Sequence, residues 1–569
     1  MLLILFALVF LSVQLLAANQ PRINWTSGSP SFNIPTGDYF QNLTAANGGA
    51  ISIVGVTNFT LSGTSVTFLK NSATGSNGGA IFIQNSQGLF NVTTAYFLEN
   101  SASAGGQRLG GGGINMNNSN VTFQGQYLKF EKNSAIGGSG GAGGGGIHAH
   151  TTSRLTLRTS TVIFENNYSA QDGASFLIRD SIFDVTQDVD YMYMINNIGG
   201  IGPGMYLRGN ATVNINPKRI YISNNIGTDG GTYGGGAMML YNPASMALTF
   251  GNASNSQRTQ IIISKNTAQS YGGMSLVQGT AEGNGTVNLT FVNSNIEATS
   301  NTAVLYYGGI IAVKSGIALI SFNNSNSTFI GNTARLGGSI YLGGNANSKV
   351  TFDGGSIYFT SNASLAANSE GNIAIISGSM EIKNLTNMIG KYNRAASGGF
   401  LYIPNNIGFT FSGQTLEMSS NVAFGNGISG GGYGRGGAFY FNGTGNITFS
   451  GNDMKFLGNT ASSGAVLYAL GGKKVEFTGT NANAQFIANI TTVGYGVISW
   501  AEAGTEVRFS GLNSLIAKWN RSRAGGGFLY INGAQYVLDS RSIDISSNGA
   551  RDSASNISGD GGAIYLLNS

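Results

Sequence analysis

One phrase recurs along this chain in fixed order and phase. An aromatic or aliphatic residue stands three places before an asparagine; a polar turn follows, then two glycines and a short apolar run. Its first clean copy is Val66 to Ile83, VTFLKNSATGSNGGAIFI. The first half returns as Phe68-x-x-Asn71, Phe97-x-x-Asn100, Phe130-x-x-Asn133, Phe329-x-x-Asn332 and Phe456-x-x-Asn459. The second half returns as Gly78-Gly79, Gly337-Gly338 and Gly561-Gly562, each followed by a small residue and Ile. With degenerate copies there are roughly seventeen units of about 30 to 36 residues, a period that calls for a repeat architecture.

The apolar runs are three to five residues long and rich in Ile, Val, Phe, Tyr and Thr, and Gly and Asn interrupt them constantly. Both features argue strand rather than amphipathic helix. Within one unit, Gly78 to Ser101, the segments AIFI, GLFNVTTA and AYFLEN read as three strands separated by turns. Three parallel strands per coil, stacked coil on coil, make a right-handed parallel β-helix of roughly seventeen coils. In this reading Ile81 and Ile83 point into the core and Phe82 points out. The Gly pair takes a positive φ at a corner and lets coils approach closely. The Asn closing each Phe-x-x-Asn half sits at the other corner, where it tolerates the left-handed conformation. Stacking the coils places these amides above one another, so they can form a ladder.

Composition supports an ordered chain without disulfide or Cys-based metal chemistry. Hydrophobic residues make up 41%, too many for a disordered glycine-rich polymer, and 7 Pro against 88 Gly excludes collagen. With no Cys, disulfides, Cys-based metal sites and Cys nucleophiles are all excluded. Charged residues are only 9% and the net charge is +5, with no dense Lys/Arg run, so nothing points to nucleic acid. No cofactor is implied. Residues 1–18, MLLILFALVFLSVQLLAA, read as a secretory signal peptide. Residues 19–41 carry Pro21, Pro30 and Pro35 and read as an N-terminal cap; residues 42–569 read as the β-helix. No window after the signal peptide is apolar enough to span a bilayer as a helix. The chain stops just inside a repeat, which leads us to expect a fragment lacking its terminal cap or anchor. Sequons at Asn24, Asn42, Asn91, Asn210, Asn288 and Asn446 are possible N-glycosylation sites.

The linked GGA-Ile/Leu/Val and Phe-x-x-Asn motifs resemble the repeats of the chlamydial polymorphic membrane proteins and similar "probable extracellular repeat" arrays. The resemblance runs from about Asn42 to Leu566. It implies a β-helical passenger displayed at the cell surface, or in the outer membrane of a bacterium, and used in adhesion. Two departures stand out. The ten-residue alternating strands of a translocator barrel are not seen, and Cys is absent.

Two functions are therefore in view. The first is a non-enzymatic secreted or cell-surface protein, adhesin-like, binding glycans or host or cell-surface proteins through an outer face. The second is a carbohydrate-active β-helix enzyme, which needs clustered carboxylates on one face. The densest acidic stretch, Asp180, Asp184, Asp188 and Asp190, reads as a decorated turn or insertion, although Asp188 and Asp190 would share a face on a strand. His148 and His150 would project together from an outer face and read as solvated; further ligands for a metal are not evident. Alternating outward from each Gly pair is an aromatic column: Phe82, Tyr206, Tyr341, Tyr402, Tyr440, Tyr530 and Tyr565. It serves either to stack the sheet or as a flat binding face.

Overall fold

The computed structural model describes residues 19–567 apart from 36, 104–109, 137–142, 232–233, 242–244, 255, 279–284, 426–433, 471–473, 502–505 and 551–561. The expected signal peptide and Gly561 lie outside the described residues. The chain divides into two compact units, Met1–Gln269 and Ser270–Ser569. Each is a right-handed parallel β-helix, with about 16 turns in all, and the described elements are all strands. Every coil contributes to three sheets. One holds the strands after the Gly pairs, a second holds long strands, and a third holds short strands after the ladder asparagine.

The coil expected to hold AIFI, GLFNVTTA and AYFLEN differs in one respect. Ile81–Gln84 forms as expected, but the next two segments are one strand, Gln87–Leu98, and the third strand is Ser101–Ser103. Along Gln87–Leu98, Phe90 and Val92 face inward, the alternation slips at Thr93 and Thr94, and Ala95 and Phe97 face inward again. Pairing with the following coil skips Val92 and Thr93. A slip of this kind bends a strand while its ends stay hydrogen-bonded, so no turn residues are needed. The segment expected as a cap is also a coil. Ile23–Trp25 pairs in register with Ile51, Ser52 and Ile53, and Ser31–Ile34 and Asp38–Gln41 pair with the long strand Phe59–Leu69. Pro30 and Pro35 flank Ser31–Ile34, where a missing N–H costs the ladder nothing.

The two glycines of a pair do different jobs. Gly78 takes the left-handed conformation at φ 66°. A Cβ on Gly79 would overlap the backbone of Ser101 and the carbonyl of Gly112 in the next coil. Gly337 and Gly338 divide the work in the same way in the second unit.

At the other corner the left-handed residue is not the asparagine, as expected, but the one before it. Lys70, Glu99 and Lys132 have φ of 53°, 54° and 54°. That turn swings Asn71, Asn100 and Asn133 inward, where all three are fully buried. Asn71 donates from Nδ2 to Asn100 Oδ1 at 2.9 Å and to the Phe40 carbonyl at 2.8 Å; its backbone N–H also donates to Asn100 Oδ1 at 3.0 Å. Asn100 repeats this towards Asn133, and in the second unit Asn459 repeats it towards Asn489. Each buried amide thus satisfies its neighbour, which is what makes a polar column tolerable in an apolar core. Beside it the Phe of each Phe-x-x-Asn stacks on the next. Phe68 and Phe97 lie 4.7 Å apart, and Phe97 and Phe130 4.6 Å.

Candidate functional site

The aromatic column expected to face outward is interrupted, with Asn115, His148 and Leu177 standing between Phe82 and Tyr206, and it is largely covered. Phe82, Tyr206, Tyr440 and Tyr530 are only 6%, 3%, 7% and 4% exposed. Tyr341, Tyr402 and Tyr565 are half-buried. Tyr402 stacks on Tyr440 at 4.7 Å and Tyr530 on Tyr565 at 5.5 Å. The Gly corner supplies the cover. A Cβ at Gly173 would stand 3.1 Å from Tyr206 Cβ, and one at Gly337 would stand 2.9 Å from Tyr341 Cβ. The chain rounding the corner therefore lies against the base of these rings, and the column acts mainly in stacking.

The same cover explains the histidines. His148 and His150 lie on this face with rings 4.7 Å apart, but they are 0% and 6% exposed rather than solvated. Burial pushes the His148 pKa well down, and His150 and Arg179 add to the effect. Among the described residues no group of three His, Asp or Glu is placed to hold a metal.

Asp172 is buried near Tyr206. Burial pushes its carboxyl from 3.8 up to about 7, against the pull of Arg208 and Arg179 and with a push from Asp229. In the second unit burial pushes Glu370 from 4.5 up to about 7. A carboxyl whose pKa rises on folding favours the fold while it is protonated. That contribution is full below about pH 4 and is lost as the pH climbs through about 7. Thermal melts should therefore show stability falling between pH 5 and pH 8. Asp172→Asn and Glu370→Gln together should flatten that fall; an unchanged slope would count against both buried acids.

The acidic stretch does not converge on one point. Asp188 and Asp190, expected to share a strand face, stand in or beside a turn between strands Ile182–Val185 and Tyr191–Ile195. Asp190 pairs with Lys218 at 2.5 Å, and Asp188 accepts from Thr186 Oγ1 at 3.0 Å. Asp184 pairs with Arg154 at 2.7 Å and accepts from Asn214 Nδ2 at 2.8 Å. Asp180 accepts from the Asn210 N–H at 3.0 Å.

That turn nevertheless builds something. The coil before it carries one continuous strand, Arg154–Glu165, whereas the coil after is split in two. The protruding turn walls an open polar groove of about 600 Å³ on the outer face of the long-strand sheet. Thr122, Thr156, Arg154, Arg158, Asp184 and Asn214 line it.

Further along the same strands lies a second feature, a row of half-buried outward tyrosines. Tyr96, Lys129, Ile163, Tyr193 and Tyr221 succeed one another in register. Tyr127 and Tyr191 stand in the adjacent row. Tyr193 lies parallel to Tyr221 at 4.9 Å, and Tyr96 meets Tyr127 at 5.6 Å. The Arg219 guanidinium sits 5.7 Å from the Tyr191 ring centre. Burial pushes the hydroxyl pKa of both Tyr127 and Tyr193 up, so these rings keep their protons as donors. The sequence carries a signal for this row. Tyr96, Tyr193 and Tyr221 each immediately precede the inward residue of an x-x-Asn half, Phe97, Met194 and Ile222.

Of the six sequons named above, Asn24, Asn42, Asn91, Asn210 and Asn446 are exposed and Asn288 is half-buried. Among the described residues no helix is long and apolar enough to cross a membrane. No protein-family model, curated protein or solved structure matches the chain.

Proposed function

We propose that this is a non-enzymatic, secreted or surface-displayed binding protein, adhesin-like in character. Its glycan contact is the outer face of the long-strand sheet in the unit Met1–Gln269. The observation that carries the reading is the tyrosine row beside the polar groove. Half-buried rings offer apolar edges and hydroxyls at coil spacing, a combination that suits sugar rings with their apolar faces and polar rims. The groove adds hydroxyls, amides and guanidinium groups within a few residues along the same strands. Such a face binds by periodic contact and needs no enclosed pocket.

Replacing Tyr96, Tyr193 and Tyr221 together by Ser tests the reading. Each ring contact is worth about 1 kcal/mol, so binding to a glycan array should weaken by more than about tenfold. Far-UV circular dichroism should be unchanged, because the rings are outside the core. A folded triple variant that binds as the parent does would reject the proposal. Reducing ends released from a bound glycan would identify the face as that of a carbohydrate-active enzyme. The corresponding change at Tyr341, Tyr402 and Tyr440 should instead lower stability and spare binding.

A further inference from the structure

We propose that the ligand of this face is a linear glycan carrying repeated anionic groups, with Arg158 as the residue that reads the charge. The inference rests on the glycan-binding reading above and names its substrate class. Arg158 continues the outward row Asn91, Gln124, Arg158, and its side chain is exposed over the groove. Among the described residues beside the groove and the tyrosine rows, four other cations are engaged. Arg154 is held by Asp184, Lys218 by Asp190, and Lys129 lies between Glu131 at 2.8 Å and Glu165 at 2.9 Å. Arg219 sits by the Tyr191 ring. The carboxylate lining the groove, Asp184, is occupied by Arg154 and Asn214, so it does not neutralise Arg158. Among the described residues no carboxylate holds the Arg158 guanidinium, and beside hydroxyls and amides it presents a planar fork that matches a carboxylate or a sulfate ester.

The spacing argues for a polymer. Arg158 and Thr161, where the tyrosine rows begin, lie on one strand on either side of the bend at Ser160, three residues and at most roughly 10 Å apart. A chain of sugars can therefore reach both. Tyr193 and Tyr221 repeat at coil spacing, 4.9 Å between ring centres, comparable to the width of a sugar ring. A glycan laid along the stack of coils meets ring edges on the two successive coils that carry Tyr193 and Tyr221, with Ile163 and Lys129 on the coils before them. Its acid groups fall within reach of Arg158 at the groove end.

Affinity electrophoresis of the full chain through gels containing polygalacturonate, dextran sulfate or unmodified dextran tests this. The expected result is retardation by an anionic polymer and not by dextran, weakening as salt is raised. Arg158→Gln should reduce that retardation about tenfold or more, the cost of a lost charged hydrogen-bond pair. Arg158→Lys should recover part of it. Polygalacturonate against dextran sulfate distinguishes carboxylate from sulfate. Equal retardation by dextran, or an Arg158→Gln variant that runs as the parent does, would overturn the anionic assignment. In that case loss of binding in the Tyr96, Tyr193 and Tyr221 variant would still uphold the glycan reading. No retardation by any of the three polymers, together with an empty glycan array, would overturn both.

Discussion

Asn332→Ala should unfold much of the unit Ser270–Ser569 under conditions where the parent is folded. Asn332 is fully buried. Its Oδ1 accepts from the backbone N–H and the Nδ2 of Asn301, at 3.0 and 2.9 Å. It donates from Nδ2 to Asn362 Oδ1 and to the Ala298 carbonyl, both at 2.9 Å, and from its backbone to Asn362 Oδ1 at 2.9 Å. Alanine removes the Oδ1 that accepts from two buried donors of Asn301, and removes one of the two donors to Asn362. Each stranded group costs about 1–3 kcal/mol, so the expected loss is about 3–5 kcal/mol. Asn332→Asp keeps the shape but turns a donor into an acceptor facing Asn362 Oδ1, so it should be at least as damaging. Exposed Asn24→Ala should change stability by no more than about 0.5 kcal/mol. Urea unfolding, with hydrogen exchange of the flanking strands, measures both. A loss below about 1 kcal/mol for Asn332→Ala would mean that the ladder is not a principal source of stability.

The second large effect concerns glycosylation. Four ladder asparagines also stand in sequons: Asn167-Tyr168-Ser169, Asn362-Ala363-Ser364, Asn489-Ile490-Thr491 and Asn520-Arg521-Ser522. All four are buried, and each Nδ2 spends both hydrogens inside the core. Asn489, for example, donates to the Phe456 carbonyl at 2.9 Å and to Asn520 Oδ1 at 2.9 Å. A glycan attaches at that nitrogen, so a modified ladder position is incompatible with the stacked coil. When the chain passes through a glycosylating secretory pathway, glycopeptide mapping of the folded fraction should find these four sites bare. Glycans should be confined to surface positions such as Asn24, Asn91, Asn210 and Asn446, and molecules modified at the ladder should collect in the misfolded fraction. A folded molecule with a glycan on Asn489 would contradict the buried ladder.

Both predictions come from a motif that is plain in the sequence, yet its conformational detail was not. Phe68-x-x-Asn71 marks a corner, and Asn is a residue that tolerates the left-handed region. Local propensity therefore places the positive φ on Asn71. The structure places it on Lys70, because the amide is worth more as a link between coils than as a turn-former. Propensity is a property of one residue, whereas the ladder is a property of residues about thirty apart.

The candidate site shows the same division. Strand alternation correctly separates Ile81 and Ile83 from Phe82. It does not show that Phe82 is covered, because alternation tells which side of a sheet a residue is on and not what lies against that side. The half-buried outward tyrosines of the candidate face were one strand away, each just before an inward residue of the repeat. Arg154, Asp184 and Asn214 are each separated by 30 residues and meet only through coil register. The groove itself exists because one coil splits its long strand around a protruding turn.

The sequence by itself determined the architecture. A phased repeat of short β-branched and aromatic runs, with glycine pairs and asparagines at set places, has one economical way to bury its apolar faces, which is to stack. That solution follows from periodicity, and periodicity is written locally. Only the tertiary structure decided which outward residues meet solvent, where the left-handed turns fall and which polar groups gather into a face. Those outcomes depend on how consecutive coils lie over one another, and that is set by register and by the path of the corners, not by any single stretch of chain.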